Sequence, residues 1–146
     1  MGYDILFQQA LQLHEQGQLD EAEKLYRQIL ETAPANPDIL NLLGLIAQEK
    51  GLHPQAIDFF YQAVKQAPGH APFYFNLALS LENDNKQAEA LQTYQDALRL
   101  NPQLKEAYNN MGDIYNSQNQ SAKAIEMYRK ALQLDADYAM PLANLA

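Results

Sequence analysis

Apolar residues recur along this chain at helical spacing, in short stretches broken by Gly, Asn or Pro. Tyr74, Leu77, Ala78 and Leu81 fall on one stripe of an α-helix, and Ala90, Tyr94, Ala97 and Leu98 fall on another after a break at Asn85. The pattern predicts two short helices joined by a tight turn. It also recurs. Ala22, Ala56, Ala90 and Ala124 are each 34 residues apart, and an aromatic follows each by four: Tyr26, Phe60, Tyr94 and Tyr128. Ala10, Gly44, Ala78, Gly112 and Ala146 keep the same period, as do Pro34, Pro68 and Pro102. Several registers locked to one period identify a repeat protein.

The repeats run 3–36, 37–70, 71–104 and 105–138, and a fifth begins at Ala139 and stops at Ala146. Counting positions within each repeat from 1 to 34, the first helix carries its apolar stripe at positions 4, 7, 8 and 11. The second carries one at positions 20, 24, 27 and 28. Position 15 holds Gly17, Gly51, Asn85 and Asn119, the residue types that tolerate the left-handed conformation ending a helix. Proline at position 32 stops the second helix, whereas Pro37 and Pro72 fall in the first turn of the next one, where a missing N–H costs little. Small residues at positions 8 and 20 let the two helices approach closely. One pair buries little by itself, so neighbouring pairs must stack.

This pattern resembles the tetratricopeptide repeat family. The match is closest in Leu43-Gly44…Ala56…Phe60…Ala63…Pro68 and in Tyr108…Met111-Gly112…Tyr115…Ala124…Tyr128…Ala131. It departs at position 4, where the family's frequent Trp is replaced by Leu6, Leu40, Tyr74, Tyr108 and Leu142, and at Gln9-Ala10 in place of Leu-Gly. The resemblance implies an all-α fold, a right-handed superhelical solenoid of antiparallel helix pairs. It also implies a concave side lined by the first helices, where ligands usually lie.

Charge and chemistry narrow the function. Ten Lys+Arg face 18 Asp+Glu, a formal net charge of -8, which disfavours nucleic acid and anionic membranes and suits a neutral or basic partner. There is no cysteine, hence no disulfide or thiolate chemistry. His14, His53 and His70 occupy unrelated repeat positions, and there is no phosphate loop or nucleophile elbow. No enzyme, metal or cofactor is expected. The segment from Met1-Gly2 onward is not a signal peptide, and no stretch is apolar for long enough to cross a bilayer, so a cytoplasmic location is the expectation.

Positions 2, 5, 6, 9, 12 and 13 share the face beside the packing stripe of the first helix. The candidate peptide-binding residues there are Phe7, Leu11, Asn41, Leu42, Phe75, Asn76, Asn109, Asn110, Asp113 and Asn144. Phe7, Leu11, Leu42 and Phe75 read as an apolar trough in repeats 1 to 3. Asn76, Asn110 and Asn144 read as an asparagine ladder that either pairs with the backbone of an extended peptide or bonds within the array. None of these positions carries Lys or Arg, which argues against a clamp for a C-terminal carboxylate. The reading is a non-catalytic protein–protein interaction scaffold. Its alternatives are a substrate-recruiting module of a larger enzyme, such as an O-linked N-acetylglucosamine transferase-like protein, and a self-assembly element using an uncapped C-terminal end.

Overall fold

The computed structural model describes residues 3–145. Met1 and Gly2, which open the N-terminal segment, and Ala146, the last of the small-residue series, lie outside the described residues. Within them the chain forms nine α-helices and no strand. They are α1 (Tyr3–Glu15), α2 (Leu19–Thr32), α3 (Pro37–Glu49), α4 (His53–Gln66), α5 (Ala71–Asn83), α6 (Gln87–Leu100), α7 (Lys105–Ser117), α8 (Ser121–Leu134) and α9 (Ala139–Leu145). The odd-numbered helices begin 34 residues apart and are the first helices of successive pairs.

The turn inside each pair has one geometry. Gly17 and Gly51 have φ of 77° and 73°, and Asn85 and Asn119 have φ of 60° and 59°. The following amide reaches back to close each helix: Gln18 N to Leu13 O, Leu52 N to Ala47 O, Lys86 N to Leu81 O and Gln120 N to Tyr115 O, at 2.8–2.9 Å. This six-to-one bond around a left-handed residue satisfies carbonyls that the helix end would leave unpaired. At the start of α3 the cap is a side chain, with Asn36 Oδ1 accepting from the amides of Asp38 and Ile39 at 3.0 and 3.2 Å.

The chain divides into two compact units, one ending at Gly69 and the other beginning at His70. In the N-terminal unit α1 packs on α2, α2 on α3 and α3 on α4. Its core contains Ala10, Ala22, Tyr26, Ile29, Ile39, Leu43 and Ile46, all essentially inaccessible. In the C-terminal unit α5 packs on α6, α6 on α7, α7 on α8 and α8 on α9. Tyr94, Ala97, Ala107, Met111, Ile114, Tyr128 and Ala131 are buried there.

These cores contain a second buried stripe beyond the one read from the sequence. Ile39 and Ile46, at positions 3 and 10, join the core cluster built on α2, and Ala107 and Ile114 at the same positions of α7 are buried as well. The first helices α3 and α7 therefore each bury two sides, one against the partner helix and one against the preceding pair of the same unit. Ile5 on α1 has no preceding pair among the described residues and is 71% exposed.

The period also places glycines against rings. A Cβ added at Gly44 would lie 2.5 Å from Cε1 of Phe60, and one added at Gly112 would run into the ring of Tyr128. These two contacts set how closely α3 approaches α4 and α7 approaches α8.

Candidate interaction face

The first helices and the second helices differ in charge. From position 2 to position 13 the described first helices contain no Lys or Arg. Carboxylates at the face positions are Asp4, Glu15, Asp38 and Glu49 in the N-terminal unit, and Glu82, Glu106 and Asp113 in the C-terminal unit. The basic residues nearest this face are held elsewhere. Lys50, just past α3, bonds Asp20 and Glu23 of α2 at 2.6 Å each. Lys105, the first residue of α7, bonds Asp135 at 2.5 Å and sits 4.9 Å over the Tyr138 ring. Each unit thus presents a first-helix face with a negative potential, which attracts cationic groups.

Below this face the position-24 aromatics carry a polar layer. The Tyr94 hydroxyl donates to Glu82 Oε2 at 2.7 Å and accepts from Asn110 Nδ2 at 3.1 Å. The Tyr128 hydroxyl donates to Asp113 Oδ1 at 2.6 Å, and the same oxygen accepts from Asn144 Nδ2 at 2.9 Å. In each case a tyrosine and a carboxylate of one repeat meet an asparagine of the next. In the N-terminal unit the partner of Tyr26 is His14, whose Nδ1 lies 3.4 Å from the hydroxyl while Nε2 lies 2.8 Å from Glu49 Oε1. Repeat 2 has Phe60 instead of a tyrosine. Gln48, which occupies the repeat position of His14 and Glu82, has its Nε2 buried without a partner.

Burial pushes the phenols of Tyr94 and Tyr128 well above their usual range, so both stay protonated as donors. Tyr26 is pushed up to about 12 by burial and by the charge of Glu15. The carboxyl of Glu82 is also held above its ordinary value of 4.5. Burial is the main cause and repulsion from Asp113 adds to it, while the Tyr94 hydrogen bond opposes it. A raised carboxyl in the folded state means that the fold binds its proton more tightly than the unfolded chain does. Stability is therefore expected to fall as pH rises through the window above 4.5 in which folded Glu82 loses its proton. Urea midpoints of the wild type and of Glu82→Gln across that window check this. The substitution should flatten the fall, and an unchanged slope would show that Glu82 is not its source.

The structure distributes the ten candidate residues unevenly. Phe7 and Leu42 are half-buried and packed against the N-terminal core. Leu11 and Asn41 are half-buried, and Asn41 is already engaged with a partner, as is Asn76 in the C-terminal unit. Asn110, Asp113 and Asn144 belong to the tyrosine layer just described. Asn109 corrects the sequence reading. It is 0% exposed, its Nδ2 donates to Asp113 Oδ2 at 3.4 Å, and its Oδ1 accepts from Asn144 Nδ2 at 3.3 Å. It lies under α9 and presents nothing to a ligand. Asn110 and Asn144 each donate to partners inside the array in this structure.

Phe75 stands apart. Its ring rests on that of Tyr94 at 5.7 Å between centroids. With Pro72, Asn76, Leu104 and Glu106 it lines a cavity of about 130 Å³ between the start of α5 and the start of α7. Pro72, Leu104 and Glu106 were not among the sequence candidates. The missing basic residues along the first helices were the signal that could have drawn attention to Glu106.

Among the described residues no group of three or more His, Cys, Asp or Glu side chains is arranged to hold a metal, and no helix is long and apolar enough to cross a membrane.

Comparison with known proteins agrees with this architecture. Tetratricopeptide repeat models match residues 7–71, 84–116 and 106–138. No curated protein gives a significant sequence match. Among solved structures, a MamA protein superposes with a TM-score of 0.89 at 26% identity, over 97% of this chain and 78% of that one. MamA from Desulfovibrio magneticus RS-1 gives 0.86 at 19% identity, over 93% and 77%. YrrB, described as a TPR protein with an unusual peptide-binding site, gives 0.86 at 21% identity, over 92% and 70%. The family matches cover both units, and the helix pairs, left-handed turns and glycine–aromatic contacts follow one 34-residue period, so the chain belongs to the tetratricopeptide repeat family.

Proposed function

We propose that this protein is a non-catalytic protein-interaction scaffold that binds an extended, basic or neutral peptide on its first-helix faces. One observation carries the reading: seven carboxylates and no Lys or Arg occupy the face positions of the first helices, although the chain has ten basic residues elsewhere. Family membership supports an interaction role in general, and YrrB, alike in fold, is described as having a peptide-binding site. The half-buried side chains of Phe7, Leu11, Leu42 and Phe75 offer apolar contact beside this charge.

Fluorescence anisotropy tests the proposal with the intact protein and a fluorescein-labelled peptide of Gly-Ser-Arg repeats, compared with a matched Gly-Ser-Glu peptide. The arginine peptide is expected to bind about tenfold tighter or more, and to weaken as salt is raised, because like charges repel across an interface and exposed charges are screened. Equal binding of the two peptides, or none of either, would rule the reading out.

A further inference from the structure

Resting on that reading, we infer that the cavity between α5 and α7 is a specificity pocket for one arginine side chain of the bound peptide. Its volume of about 130 Å³ is too small for a whole small-molecule ligand, which fills roughly 300 Å³ or more, and suits a single side chain. Its walls are Pro72, Phe75 and Leu104, and its charged rim is Glu106. That combination matches a side chain with an apolar stem and a cationic head. A planar guanidinium can stack on the Phe75 ring and present two parallel donors to a carboxylate, which an ammonium cannot do. Phe75 is held in place by Tyr94 behind it.

Glu106 is available for this role. It forms no close salt bridge among the described residues; the adjacent Lys105 bonds Asp135 and sits over the Tyr138 ring, and its charge acts on Glu106 only at longer range. The other two carboxylates of this unit's face are occupied, Glu82 by Tyr94 and Asp113 by Tyr128 and Asn144. Glu106 is thus the carboxylate of this face that no side chain of the fold bonds directly.

The test uses the intact protein, the same Gly-Ser-Arg peptide, and a version in which each arginine is replaced by citrulline, which has a similar shape without the charge. Glu106→Gln is expected to weaken the arginine peptide by about fivefold, the upper end for a solvent-accessible ion pair, and to leave the citrulline peptide unchanged. Asp38→Asn, on the N-terminal unit, removes one charge from a comparable helix position and is expected to have a smaller effect. Circular dichroism of both variants confirms that the helices are intact. Equal losses from Glu106→Gln and Asp38→Asn would mean diffuse attraction and overturn the pocket. Arginine-peptide binding that survives Glu106→Gln unchanged overturns the pocket while leaving the proposed function standing. Absence of arginine-peptide binding to the wild type overturns both.

Discussion

Tyr94→Ala is expected to cost about 3–5 kcal/mol of stability, the range for truncating a large buried aromatic. The side chain is 0% exposed. Two losses add. The ring supports Phe75, and its removal opens a void among side chains packed near crystal density. The hydroxyl also bridges Glu82 and Asn110, so truncation strands a carboxylate and an amide beneath the surface. Tyr94→Phe separates the terms: it keeps the ring, removes only the bridge, and should cost about 1–2 kcal/mol. Urea unfolding followed by far-ultraviolet circular dichroism measures both. Since whole domains are stable by about 5–15 kcal/mol, the alanine variant should unfold well below the wild-type midpoint. A loss under about 1 kcal/mol for Tyr94→Ala would show that neither the buried ring nor its hydroxyl bridge contributes as argued.

The second large effect is expected at Gly44. Gly44→Val should cost roughly 2–3 kcal/mol through overpacking, since the new Cβ alone would sit 2.5 Å from the buried Phe60 ring and two methyl groups would follow it. The ring belongs to a side chain that is 0% exposed, so it has nowhere to retreat, and α3 must move away from α4. Gly44→Ala should be far milder. Ala10 and Ala78, both buried, occupy the same repeat position, so the helix pair tolerates one methyl with a small adjustment. Replacing a mid-helix glycine also returns about 1 kcal/mol of backbone propensity. Thermal melts of the two variants provide the comparison, and a valine variant as stable as the alanine one would refute the close-contact account.

Much of the fold is legible in particular residues. Gly17, Gly51, Asn85 and Asn119 recur at one position and all take a left-handed backbone, because a helix ending in a tight turn needs a residue that tolerates positive φ. Ala22, Tyr26, Ala56 and Phe60 recur because a small side chain lets the helices of a pair approach closely and an aromatic fills the space beside it, and all four are buried. The candidate face is legible only in part. Helical spacing puts Asn109 and Asn110 beside each other, yet Asn109 is sealed beneath Asn144 while Asn110 reaches the Tyr94 hydroxyl. Spacing assigns a residue to an angle around its own helix and says nothing of what lies across that angle.

Sequence by itself determined the 34-residue period, the pairing of short helices, the turn residues between them and the family. Those are local or periodic properties, set by backbone conformation and by the spacing of apolar side chains. Only the tertiary structure decided which second side of α3 and of α7 is buried, as at Ile39 and Ile46, and which polar side chains meet. It alone brought Tyr94 to Asn110, Tyr128 to Asp113, and Phe75 to Glu106 across a small cavity. Each of these depends on how one pair stacks on the next, and so on contacts between residues that no periodicity within a single helix relates.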